Sequence, residues 1–466
     1  MPRRNYAAGC RVAVLAVFAA TCATGAGAEV LGITGASFTL TAKADRISTP
    51  EGGSYLFWGF SANDGRPQYP GPTLIVDQGA TVAVTVSNQL PLSAGQRVSL
   101  SFAGQSGVTA ACSVAPCMQG PITMEAGAGG AVTYTFTASR PGTFLYNSAS
   151  RPDLQIEMGL FGGIVVRPTE FADMSPPQAY ATPESRYDQE HLFLLSEIDS
   201  HIHDLVEQEG VAAVDQSGRL ATYISNYWFI NGRNAPDTMA EANARRLPTQ
   251  PYNSLPKTHP GDRLLMRVIG AGRQMHPFHH HGNHARVIAV DGFLKQSSAP
   301  PTPDTLDLSH EVFTVQSLPG QTVDAIFTWT GEDLGWDIYG DNPIQFGDPV
   351  QTKAAQVAPL PVYAHRCEPG PDGLDTDTRE YCADHGKPLP VTLPDQLSLA
   401  FGGFWGGTPF LGTLGLLPPG EGGMNPNAGF TYMWHSHTEK EITSFDIFPG
   451  GMMTMLIVEP MHVPIP

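Results

Sequence analysis

The chain has 466 residues, including 50 Gly and 41 Pro; only 15% of them are charged, and the formal net charge is −18 at pH 7. This length exceeds what one hydrophobic core usually organises, so two or three domains are expected. The acidic balance excludes nucleic acid and anionic lipid as natural partners and favours cations or basic redox partners, although solubility alone would also account for it.

In chain order, Arg3, Arg4 and Arg11 form a basic start, Val12 to Ala20 an apolar run, and Ala26, Gly27 and Ala28 a small-residue cleavage site. Residues 1–28 therefore read as an export signal too short to span a membrane, with Arg3-Arg4 hinting at the twin-arginine route. A periplasmic or secreted protein is expected. Cleavage removes three arginines and no acid, moving the charge from −18 to −21. Of six cysteines, Cys112, Cys117, Cys367 and Cys382 remain. In an exported chain these read as two loop-closing disulfides, with zinc binding by Cys367 and Cys382 beside His365 and His385 as the alternative.

Beyond the signal, short runs of Val, Thr, Phe and Ile alternate between Gly, Pro and Asn turns, the pattern of an antiparallel all-β protein. The pattern occurs twice. "YPGPTLIVDQGATVAVTVSNQLP" from Tyr69 has the same outline as "HPGDRLLMRVIGAG" from His259. "GTFLYNSAS" leads into "MGLFGGIVV" as "GFTYMWHSH" leads into "PGGMMTMLIV". Two β-sandwich domains are expected, at 29–168 and 190–466, joined by a Pro-rich polar linker at 169–189. The excess length of the second falls at about 296–430 and reads as a long irregular insertion.

Two stretches concentrate imidazole: "HPFHHHGNH" from His276 and "WHSHTEKE" from Trp434. Alternate side chains of a strand share a face, so His279 and His281 point one way, as do His435 and His437. Neighbouring strands would make four imidazoles converge on a cation. His280 should face the other way. "SHIHD" from Ser200 repeats the His-x-His spacing without a partner pair and reads as surface. The methionines of "GGMMTM", Trp434 and Trp405 read as core or rim.

These motifs resemble the multicopper oxidase family. "PGPTLIVDQGATVAVTVSN" resembles its first-domain signature, "FINGRNAPDT" the opening of its last domain, "HPFHHHG" its His-Pro-x-His-Leu-His-Gly, and "HSHTEKE...GGM" its His-Cys-His...His...Met. The resemblance implies cupredoxin-like Greek-key sandwiches and copper as cofactor. It also implies a blue copper held by two His, one Cys and a Met, beside a three-copper cluster held by eight His.

This chain departs from that pattern. The blue-site cysteine falls on Ser436 and one of its histidines on Glu441, leaving only His276 and Met452 or Met453. The first-domain ligand pairs fall on Ser101 and Ala103 and on Asn147 and Ala149, and all fifteen histidines lie at or beyond His191. Without the thiolate, a blue site is not expected. What is expected is a histidine-only, type-2-like copper site at His279, His281, His435 and His437, with His276, His284 and Met452 as further candidate ligands. Glu439 and Glu441, following with a strand's alternation, stand as candidate ligand partners or proton relays.

Two functions fit. One is a copper oxidoreductase working on a small molecule or metal ion with an external electron donor, as a monomer or a homo-oligomer. The other is a non-catalytic copper protein for storage, delivery or scaffolding. No nucleophile elbow, phosphate loop or Rossmann glycine pattern points to another class.

Overall fold

The structure, a computed structural model, describes residues 30–302, 304–332, 367–376, 379, 381–384, 407–408, 415–416, 424–425, 430–459 and 464–465. The expected export signal, His365, His385 and Trp405 lie outside the described residues, as does much of the expected insertion.

The first sandwich packs two five-stranded sheets. One runs Ile33–Thr34, Gly71–Asp77, Phe161–Arg167, Gly142–Ser148, Leu100–Phe102; the other Ser54–Ala62, Ser37–Ser48, Thr81–Asn88, Ala131–Thr137, Thr109–Val114. Period-2 alternation builds the core between them. In Thr81–Asn88 the side chains of Val82, Val84 and Val86 are buried, while those between them reach toward solvent. Each buried valine contributes about 1.5–3 kcal/mol.

The second sandwich pairs a seven-stranded sheet with a six-stranded one. The larger contains Tyr227–Ile230, Gln189–Ile198, Arg263–Gly270, Thr322–Thr328 and Ala285–Val290 in that order. The smaller runs Lys257–Thr258, Met453–Val458, Phe430–Ser436, His276–His280, Thr314–Ser317. Of the two sequence repetitions, the second is a repetition of topology, whereas the strand after "YPG", Gly71–Asp77, has its counterpart in Lys257–Thr258, ahead of "HPG" rather than after it. Phe161–Arg167 lies parallel to Gly71–Asp77 and antiparallel to Gly142–Ser148. Met453–Val458 likewise lies parallel to Lys257–Thr258 and antiparallel to Phe430–Ser436.

Three expectations need correction. Residues 310–328, assigned to the irregular insertion, form the strands His310–Val312, Thr314–Ser317 and Thr322–Thr328 of the sandwich. Their alternation is short and is hidden by the flanking Pro, Ser and Gly. The linker at 169–189 is not loosely solvated, because Ala179, Tyr180 and Tyr187 are buried against Leu265, Ile288 and Ile326. "SHIHD" begins a helix, Ser200–Gln208, capped by the Asp199 side chain on the His201 N–H. His203 is fully buried there, with Nδ1 against the Leu56 carbonyl and Nε2 3.6 Å from Glu157. A helix does not set residues i and i+2 on one face, so only His201 reaches the surface.

Ions tie the two sandwiches together. Glu190 accepts from Arg167, on the last strand of the first sandwich, and from Arg267 of the second at 2.9 Å. Arg267 also donates to Thr143 Oγ1 at 3.0 Å, and Thr143 donates to Asp324 at 2.6 Å. All four charged groups are buried. Both cysteine pairs are disulfides, Cys112–Cys117 and Cys367–Cys382, so the sulfurs of the second pair are bound to each other rather than to zinc. No helix among the described residues is long and apolar enough to cross a membrane.

Candidate metal centre

The two histidine stretches meet as neighbouring antiparallel strands. His279 lies opposite His435, Phe278 opposite Ser436, and His280 opposite Trp434. Directly opposed residues share a face. His279 and His435 therefore meet on one side, while His280 turns into the core against Trp434 and Phe327, with ring centroids 5.7 Å from each.

Ligand-capable atoms of His279, His281 and His435 lie within 4.8 Å of one another. Nε2 of His435 stands 3.4 Å from Nε2 of His281. Nδ1 of His435 is 2.7 Å from the Ser436 carbonyl, which can only accept, so the proton sits on Nδ1 and the Nε2 lone pair faces the cluster. Nδ1 of His279 is occupied by Thr314 Oγ1 at 3.0 Å, leaving its Nε2 for the same space. His437 stands at the exposed rim, its ring centroid 4.9 Å from His279 and 5.8 Å from His435. Burial first, and then the neighbouring imidazoles, push His279 down to about 3, and burial also lowers His435. These rings are neutral at ordinary pH, the state a metal requires of imidazole.

The other candidates are placed elsewhere. His276 is buried with both nitrogens engaged: Nε2 lies 2.8 Å from Glu197 Oε2 and Nδ1 2.9 Å from Glu441 Oε2. No nitrogen is left for a metal. Met452 packs in the core with Trp434 and Tyr432. His284 is exposed, with its ring edge-on to Phe313 at 5.8 Å. Glu439 and Glu441 do not alternate as on a strand, because Glu439–Ile442 is a 3-10 turn. That turn leaves Glu439 in solvent and swings Glu441 inward, away from the histidine cluster and onto His276 and Ser436. Gly451 permits the tight packing there: its φ is 58°, and a Cβ would meet the Glu441 carbonyl oxygen at 2.1 Å.

In the first sandwich, Ser101 pairs with Asn147 across the sheet and its hydroxyl donates to the Asn147 side chain. The motifs pointed to neither Glu197 nor Thr314. They lie 79 and 35 residues from the histidines they touch. Only strand register reveals them.

The buried ionisable groups set a pH profile for the metal-free chain. Burial opposes the His276 charge, but its bonds to Glu197 and Glu441 raise it to about 9. A raised histidine stabilises fully below its unfolded value of about 6.5 and loses that contribution as pH climbs through 9, on the order of 3 kcal/mol. Burial lowers His191 to about 4. Glu190, despite its burial, is held down to about 2 by Arg267 and Arg167. Their contributions disappear as pH falls through those values. Urea midpoints of chelator-treated protein should therefore peak near pH 6.5, and a His276→Gln variant should show a flatter alkaline limb. An alkaline limb of unchanged slope in that variant would refute the assignment.

Residues 62–170 match the multicopper oxidase family model. The fold is similar to that of a solved multicopper oxidase, mgLAC, with a TM-score of 0.51 and 18% identity over 92% of this chain and 87% of that one. It is also similar to the blue copper oxidase of Nitrosomonas europaea, with a TM-score of 0.50 and 17% identity over 90% of this chain and 85% of that one. No curated protein matches the chain by sequence. At these identities the likeness is one of fold. Both sandwiches are cupredoxin-like, and the resemblance read from the motifs is carried into the first sandwich by the match at 62–170.

Proposed function

We propose that this chain is an exported copper protein with one histidine-only centre in its second sandwich, acting as an oxidoreductase that draws electrons from an external donor. The observation that carries the reading is the convergence of His279, His281 and His435, with His437 at the rim. Imidazole donors suit copper(II), the tightest-binding of the common divalent metals. Bound there, copper would supply one-electron redox chemistry and a Lewis-acidic position for a small oxidant or substrate.

The chain's own residues do the rest. Thr314 and the Ser436 carbonyl fix the Nδ1 sides of His279 and His435, which aims both Nε2 atoms at one point. The exposure of His437 leaves an approach from solvent. Ser436, in the slot of the blue-site cysteine, offers no thiolate, and the first sandwich offers no imidazole. Among the described residues no blue-type relay stands beside the cluster, so electrons would come from an external donor or directly from the substrate. The exposed rim equally suits storage or delivery, in which copper passes to a partner without turnover.

The test is copper content per chain with an electron paramagnetic resonance spectrum, followed by a donor-and-oxidant screen. One copper with a tetragonal signal and no intense blue band is expected. Turnover in the screen favours the enzyme, and tight copper without turnover favours delivery. A folded chain that ignores added copper refutes both.

A further inference from the structure

Where the resemblance puts a blue copper, this chain builds an ion cluster. His276 is fully buried between two carboxylates, Glu197 at 2.8 Å and Glu441 at 2.9 Å, one at each ring nitrogen. Carboxylates accept, so both nitrogens donate and the ring is an imidazolium. The two carboxylates stand on opposite sides of the ring and do not converge with it on a common cation. Among the described residues, the group capable of holding an ion in this region is the neighbouring histidine cluster.

The cluster grips both histidine strands. Ser436 lies between His435 and His437, and its hydroxyl donates to Glu441 Oε2 at 2.6 Å. The same hydroxyl accepts the Thr438 N–H at 3.2 Å, closing the turn after His437. His276 begins the strand that carries His279. Glu197 Oε1 accepts the N–H groups of Arg273 and Gln274 at 2.6 and 2.9 Å, which anchors the loop entering that strand. The Glu441 carbonyl accepts the Met452 N–H at 2.7 Å, and the Met452 carbonyl accepts the Ser436 N–H at 2.9 Å. Every link bears on the backbone that sets where His435, His437 and His279 point.

We infer that Ser436 and Glu441 are positioning residues for the histidine centre, with His276, clamped between Glu197 and Glu441, as their anchor. The inference rests on the copper reading above and deepens it: the residues that replaced one metal site hold the geometry of the other. A buried ion cluster that only fills space would support folding and leave the centre alone, whereas a positioning cluster alters the metal when a single hydroxyl is removed.

The experiment uses the full chain with copper(II) as the probe and reads affinity by chelator competition, the resonance spectrum, and the urea midpoint. Ser436→Ala keeps the His276 ion pairs and cuts the tie, so copper affinity should fall about 10-fold. The copper hyperfine splitting should change while the urea midpoint stays near wild type. Glu441→Gln, nearly isosteric, should perturb the same spectrum and also lower the midpoint, and it decides the matter if Ser436→Ala does not fold. Variants with wild-type affinity and spectrum overturn the inference while the copper reading stands. A wild-type chain that takes up no copper overturns the copper reading itself and the inference with it.

Discussion

His435→Ala should lower copper affinity by at least about 100-fold, beyond the range usual for residues that only orient ligands. His435 Nε2 stands 3.4 Å from His281 Nε2 and carries the lone pair that the Ser436 carbonyl aims. The cost to folding should be small, because the ring is half-buried and among the described residues it bonds to its neighbour's carbonyl and to another member of the site. Two other substitutions sharpen the result. His284→Ala should leave copper affinity unchanged, since that ring sits in solvent beside Phe313. His280→Ala should do the reverse, opening a cavity between Trp434 and Phe327 and costing stability while copper still binds. Chelator competition and urea unfolding on the three variants give the comparison. Equal copper loss in His284→Ala and His435→Ala would place the metal elsewhere.

Glu190→Ala should destabilise the chain by about 3–5 kcal/mol, because one deletion leaves two buried guanidinium groups without their shared partner. Arg167 and Arg267 both donate to Glu190, and Arg267 is completely buried. Asp324 does not replace it. It lies 3.8 Å from Arg267 and already accepts from Thr143 and Tyr180. Against the 5–15 kcal/mol typical of a folded protein, this is a large share. The loss should also loosen the two sandwiches from each other, since Arg167 belongs to one and Arg267 to the other. Urea unfolding measures the first effect, and a second, separate transition would report the second. Glu207→Ala is the control. Its partner Arg46 is on the surface, so the expected cost is under about 1 kcal/mol. A similar loss in both variants would mean that the buried network adds nothing special.

Part of this was legible in the residues alone. Period-2 alternation and turn residues determine a pair of sandwiches because strand burial is a local property: Val82, Val84 and Val86 face inward whatever they pack against. Plain counting establishes that no histidine precedes His191, and the family resemblance implies that serine stands in the slot of the blue-site cysteine. The His-x-His spacing puts His279 and His281 on one side of the chain, because every extended strand alternates.

Tertiary structure decided what those residues face. The opposition of His279 and His435 is a matter of register between strands more than 150 residues apart, and a slip of one residue would have pointed His435 into the core. His276 occupies a ligand slot in the motif. It is held as an imidazolium because Glu197 arrives from one strand and Glu441 from a 3-10 turn. Strand alternation was the wrong guide at Glu439 and Glu441, because that segment is a 3-10 turn and not a strand. Local patterning specifies which side of the chain a group occupies. Only the long-range pairing of strands specifies whether a charge or a lone pair waits there.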